Sequence, residues 1–152
     1  MEAEIRQIIL DTETSGLDYE KDRIIEVGCL ELVDGIFNGT KFHQYYKPDN
    51  VVISAEAESI HGLNNAFLSK FPSFHEDIDN FYRFVNDSEL IIHNAQFDLT
   101  MINNSLKRAS KPLIMKESVI CTLELAKKKY PGSKNNLNAL CLSLIHISEP
   151  TR

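Results

Sequence analysis

The sequence predicts an α/β domain: three antiparallel strands, then strands alternating with helices, forming one mixed sheet flanked by helices. Three observations carry that expectation. The short apolar run Ile8-Ile9-Leu10 has the composition of a central buried strand. Asp34-Gly35 is a strong two-residue hairpin signal between two β-rich stretches. Beyond Pro72, helical and strand patterns alternate as far as Tyr130.

The first strand runs into Asp11, and Ser15-Gly16 punctuates the turn after it. Arg23 to Val33 reads as a long strand whose alternation slips near Gly28-Cys29, as a bulge would cause. A third strand follows the hairpin from Phe37 to Tyr46 and is closed by Pro48; Asn38-Gly39 competes as a turn within it. Ser54 to Phe71 reads as loop with short helical pieces. Ser73 and Glu76 have the capping-box spacing, and Phe74, Ile78, Phe81, Tyr82, Phe84 and Val85 follow at helical intervals. Leu90-Ile91-Ile92 is another buried strand, and Phe97 to Ala109 a helix with Leu99, Ile102, Leu106 and Ala109 on one stripe. Val119-Ile120 is a fifth strand, and Thr122 to Lys129 a helix ended by three lysines and Pro131-Gly132. A last helix begins near Asn136-Leu137. The first strand, the most apolar, should be central.

At 152 residues the chain is the size of one domain, and 43% hydrophobic content allows a core without staples. A net charge of −6 argues against a basic protein that coats nucleic acid, but not against an enzyme that grips one strand end through metal ions. Cys29, Cys121 and Cys141 are too few and scattered for a disulfide framework or a zinc ribbon, and fit reduced thiols. With no apolar run near membrane length and an acidic amino terminus, the expectation is a soluble cytoplasmic chain with no membrane partner.

Asp11-Thr12-Glu13 is the sharpest local feature. Residues two apart on a strand share a face, so both carboxylates project together from a strand end. Two anions held so close are costly without a cation, and hard oxygen ligands suit Mg²⁺ or Mn²⁺. Solvated acids in an N-terminal turn are the plainer reading. In His93-Asn94-Ala95-Gln96-Phe97-Asp98, a buried strand passes into a helix and Asp98 falls in the first helical turn. There it is either a third carboxylate for the same site or an acid complementing the helix dipole. Glu56 and His61, in the loop-rich middle, are either solvated or fold over the acids to meet a substrate end. Phe67, Phe71 and Phe74 read as packing.

In this order, Asp11 to Gly16, Ile24 to Gly28, Phe42-His43 through Pro48, Ile60-His61-Gly62 and His93 to Asp98 resemble the DnaQ-like (DEDDh) 3′–5′ exonucleases of the ribonuclease H-like fold. Tyr130-Pro131-Gly132 through Asn136 to Cys141 is similar, more narrowly, to the epsilon proofreading subunits of bacterial DNA polymerase III. The resemblance implies that Asp11, Glu13 and Asp98 are metal ligands and catalytic residues. It implies that Glu56 and His61, with Thr12 and Asn94 beside the acids, contact the terminal nucleotide. The implied reaction is hydrolysis of the last phosphodiester at a DNA 3′ end by a two-metal mechanism with Mg²⁺ or Mn²⁺. The implied partners are that DNA end, single-stranded or mispaired, and a DNA polymerase III catalytic subunit.

The sequence departs from the family after Cys141. A third motif, a His followed five residues later by an Asp, has no match: His146 comes too early, and Thr151 stands where the Asp would. The expectation is an exonuclease domain over residues 1–141, incomplete at its end, with 142–152 a tail foreign to the family, out-of-frame or adapter-derived, and a chain inactive as written. Cys121 is a smaller departure, at a position more often acidic. The alternatives are a superfamily member that trims RNA ends, and a non-catalytic scaffold that binds a 3′ end or a polymerase.

Overall fold

In the computed structural model, which describes residues 2–136, the sequence alternation of the first strand becomes its geometry. β1 (Arg6–Thr14) buries Ile8, Leu10, Thr12 and Thr14 and turns Ile9, Asp11 and Glu13 the other way. The strand therefore extends four residues past the apolar run, carrying both acids within it. β2 (Ile24–Val33) pairs antiparallel with β1, and β3 (Ile36–Tyr45) antiparallel with β2. Asp34 and Gly35 join β2 to β3 with φ of 51° and 79°, the two positive values that a tight hairpin turn requires.

β4 (Glu89–Ile92) pairs parallel with β1, and β5 (Val119–Cys121) parallel with β4, so the sheet order is β3-β2-β1-β4-β5 with β1 central as expected. Two details differ from the sequence reading. The pairing slips between Glu13 and Thr14 and between Leu30 and Leu32, not at Gly28, which pairs regularly with Asp11 and His43. Asn38-Gly39 is not a turn. Gly39, at φ 88°, sits in the second slip, where β3 carries extra residues between the partners of Leu30 and Leu32. The Asp34-Gly35 turn already closes the hairpin, leaving the second signal to be absorbed as a bulge.

The helices are α1 (Ala55–His61), α2 (Asn65–Leu68), α3 (Phe74–Val85), α4 (Ala95–Arg108) and α5 (Thr122–Lys129). α3 starts on the full capping box of Ser73 and Glu76. Its apolar stripe, Phe74, Ile78, Phe81 and Val85, packs with Met101, Ile102 and Leu106 of α4 against Ile8 and Leu10 of β1 in the main core. Each of these side chains stabilises the fold by roughly 1.5–3 kcal/mol on burial. A smaller cluster of Ile25, Ile53 and Leu68 lies beneath α1 and α2. α1 is tied to the end of β1, because the Ser54 amide donates to the Ser15 carbonyl at 3.0 Å. Among the described residues, no helix is long and apolar enough to cross a membrane. The helix expected to begin near Asn136-Leu137 falls, beyond Asn136, outside the described residues, as do the domain end at Cys141 and the tail with His146.

Candidate active site

Strand register creates the site. Asp11 and Glu13 share the face of β1 turned away from the main core, and the pairing sets Glu26 of β2 directly opposite Glu13. Side chains in such a pair stand about 5 Å apart, so three carboxylates crowd one patch of sheet. Glu26 is held from the other side by His43 Nε2 at 2.7 Å. Sequence reading missed Glu26, because only the cross-strand register brings it to Glu13.

Asp98 arrives from the other direction. It lies in the first turn of α4 and is buried, and the Thr12 hydroxyl donates to its carboxylate. Thr12 points to the core side of β1, so its side chain orients Asp98. Asn94 opens α4 in the left-handed conformation at φ 60°, ψ 54°, and makes no side-chain cap. The first-turn amide of Ala95 donates instead to Cys121 Sγ at 3.3 Å. The cysteine that departs from the family pattern thus takes a capping role.

The electrostatics follow from this crowding. Burial, then the charges of Asp11, Glu26 and Asp98, push the Glu13 carboxyl up to about 7. Burial pushes Asp98 up to about 6; the hydrogen bond from Thr12 opposes the rise and the charge of Asp11 adds to it. Asp11 is also raised by burial, with Glu26 adding and His93 opposing. The three expected acids are therefore coupled neighbours. Among the described residues, however, no three His, Cys, Asp or Glu side chains are grouped closely enough to hold one metal ion.

Beside Glu13 lies a cavity of about 420 Å³, lined also by Thr14, Leu17, Glu56, His61 and Phe97. His61 closes it from the end of α1. Its Nδ1 accepts from the Leu63 amide at 3.0 Å, and its Nε2 donates to the Thr14 carbonyl at 3.2 Å. Glu56 is exposed on the first turn of α1. The wall opposite is the loop after β1, where Asp22 accepts from the Ser15 hydroxyl at 2.8 Å and from the Asp18 amide at 2.8 Å. A Cβ on Gly16 would collide with that Asp22 carboxylate, which explains the glycine. Asn94 lies apart from this cavity, lining another of about 440 Å³ with His93, Leu123 and Lys127.

Solved structures that match this architecture include exonucleases of the ribonuclease H-like fold. Exonuclease X in complex with 5′ overhanging duplex DNA matches with a TM-score of 0.70 and 28% identity, over 96% of this chain and 78% of that one. Escherichia coli exonuclease I in complex with a dT13 oligonucleotide matches at 0.80 with 15% identity, over 91% and 35% of the two chains, a likeness of fold alone. The Exonuclease family model (RNase_T) matches residues 8–146, and the chain belongs to that family. It is 45% identical over 141 residues to DNA polymerase III subunit epsilon of Rickettsia felis, covering 90% of this chain and 61% of the relative. To the protein of the same name from Escherichia coli K12 it is 39% identical over 145 residues, covering 90% and 59%. The chain thus spans about three fifths of the length of these curated relatives.

Proposed function

We propose that the chain is the exonuclease part of an epsilon-type proofreading subunit, hydrolysing the terminal phosphodiester of DNA 3′ ends. The carrying observation is Glu13, a carboxyl raised to about 7 among other acids, placed at the wall of a cavity that Glu56 and His61 also line. Crowded, partly desolvated carboxylates beside a cleft are a costly arrangement that serves chemistry better than stability. The resemblance to epsilon subunits supports the substrate class and a DNA polymerase III catalytic subunit as partner. Free thiols at Cys29 and Cys121 support a reducing, cytoplasmic setting.

The donor set fits hard divalent cations, since each raised carboxyl would be relieved by a nearby positive charge. Asp11, Glu13 and Asp98 are not gathered round one point, so they would hold Mg²⁺ or Mn²⁺ by sharing a pair of ions between them. Bound there, such a cation supplies charge neutralisation and a more acidic water. Thr12 holds the Asp98 carboxylate through its hydroxyl, and Glu56 and His61 contact the terminal nucleotide from the cavity they line. His61 keeps its proton on Nε2 while it faces Thr14.

No residue of the 152-residue sequence matches the His and Asp of the third motif, so we propose that this polypeptide as written is essentially inactive. Loss of a general base costs typically about 10²–10⁴-fold. The test is a chimera that continues this sequence from Cys141 with the matching segment of the Rickettsia felis relative, assayed on 5′-labelled single-stranded oligonucleotides. With Mg²⁺ or Mn²⁺ it should shorten DNA from the 3′ end, and Asp11→Ala should abolish the activity. Faster cleavage of the ribo-oligonucleotide would turn the reading to RNA ends. An inactive chimera, or an active Asp11→Ala chimera, would refute it.

A further inference from the structure

Away from the acids, the fold builds a cationic cleft in a chain whose net charge is −6. A cavity of about 100 Å³, enough for one small anion, lies between the start of α3 and the last turn of α4. Arg23, Lys47, His75 and Arg108 line it, and Asp49 is the one acid among the lining residues. The two guanidiniums are positioned by backbone. Arg23 Nη1 donates to the carbonyls of Glu20, Lys21 and Asp22 at 2.8–3.1 Å, and Arg108 Nη2 to the Glu20 carbonyl at 2.8 Å. Both therefore hold the same loop and meet at the Glu20 carbonyl, and burial together with Arg23 lowers the pKa of Arg108.

The existing counter-charges are weak. Asp49 reaches Arg23 Nε at 3.4 Å with 44% of its side chain exposed, and Glu76 reaches Lys47 Nζ at 3.5 Å with 55% exposed. Exposed pairs of this kind contribute about 0–1 kcal/mol, so another anion can displace them. Arg108 has no carboxylate partner within ion-pair distance among the described residues. The backbone around the cleft is firm, because the Lys47 amide donates to the Pro72 carbonyl at 2.9 Å and Lys47 bridges to Ser73. Phe74 and His75, at the start of α3 where the first-turn amides have no intrahelical acceptor, also line it.

We propose that this cleft is a phosphate-binding site, distinct from the carboxylate cavity, and that it takes a backbone phosphodiester of the bound strand. Guanidinium pairs and helix amides match phosphate oxygens. Asp98 and Arg108 lie at opposite ends of α4, about 15 Å apart at the helical rise. Stacked nucleotides advance about 3.4 Å per step, so a strand whose 3′ end meets Asp98 and whose backbone follows α4 would reach the cleft roughly four nucleotides upstream. The source of the phosphate rests on the nuclease reading; the affinity for phosphate does not.

The test uses the full chain without divalent metal, so that nothing is cleaved. Inorganic phosphate is titrated by amide chemical shifts, and a dinucleotide and an octanucleotide by fluorescence anisotropy. Lys47→Gln and Arg108→Gln should each weaken phosphate and the octanucleotide about fivefold, lower the octanucleotide's salt slope by about one, and leave the dinucleotide unchanged. Arg108→Lys should keep most of the affinity, and Lys116→Gln, outside the cleft, all of it. Phosphate binding lost in the variants, with octanucleotide binding unchanged, would make the site one for free phosphate and overturn the backbone assignment. Phosphate bound by a chain that binds no oligonucleotide would overturn the backbone assignment and leave a site for free phosphate, while the nuclease reading is decided by the chimera. No saturable phosphate binding, with octanucleotide affinity indifferent to both substitutions, would overturn the proposal.

Discussion

Glu13 shows how one side chain couples stability to pH. Its folded pKa, about 7, lies above the ordinary 4.5, so the fold favours its protonated form. That favourable contribution is complete below pH 4.5 and is lost as pH rises through 7. Asp98 and Asp11, also raised, act in the same direction. Without metal, Glu13→Gln should therefore stabilise the chain at pH 8, by about 1 kcal/mol once its partial exposure is allowed for, and barely at pH 4. Urea melts at the two pH values measure it, and an equal effect at both would contradict the electrostatic cause. Thr12 makes the complementary case. Thr12→Val keeps the shape but leaves the buried Asp98 carboxylate without its hydroxyl donor, and should cost about 2 kcal/mol at pH 8. A loss under 0.5 kcal/mol would mean that water replaces the hydroxyl.

Among the elements, α3 owes its start to a signal contained in four residues. Ser73→Ala removes the side-chain acceptor for the Glu76 amide and should lower stability by about 1 kcal/mol, seen as a lower urea midpoint with an unchanged slope. Local signals of this kind were legible in the sequence: the capping box, the Asp34-Gly35 turn, and the alternation that puts Asp11 and Glu13 on one face. The boundaries of α5 were legible too, because its lysines and Pro131-Gly132 mark the end. What could not be read was set by distant residues. Nothing near Asn38-Gly39 says that β2 and β3 absorb it as a bulge. Nothing near Glu26 says that it faces Glu13. The contact between Thr12 and Asp98 joins residues 86 positions apart, and Asp22 matters only because the loop folds it against Gly16. Asp11, Glu13 and Asp98 could be singled out from the sequence as candidates; that Thr12 and Glu26 tune them could not.

At the scale of the whole molecule, the sheet joins two halves of different character. Strands β1 to β3 form an antiparallel meander, whereas β4 and β5 are added by parallel pairing through helices. The exonuclease architecture places the acids where the halves meet: Asp11 and Glu13 come from the first, and Asp98 from the helix that follows β4. The central position of β1 therefore also governs how the chain reaches its fold. Its pairing with β2 closes a short stretch of chain, but Gln7 must find Glu89 across 82 residues, a slow closure that gains nothing until it is nearly complete. The meander should assemble early and the β4 half should dock late. In stopped-flow refolding, Val27→Ala in β2 should slow folding, while Ile92→Val in β4 should mainly speed unfolding. The reverse pattern would place the nucleus in the parallel half. If the order holds, each newly folded chain carries a formed Asp11 and Glu13 pair before Asp98 arrives, so the crowded acid patch is the last feature completed on the folding path.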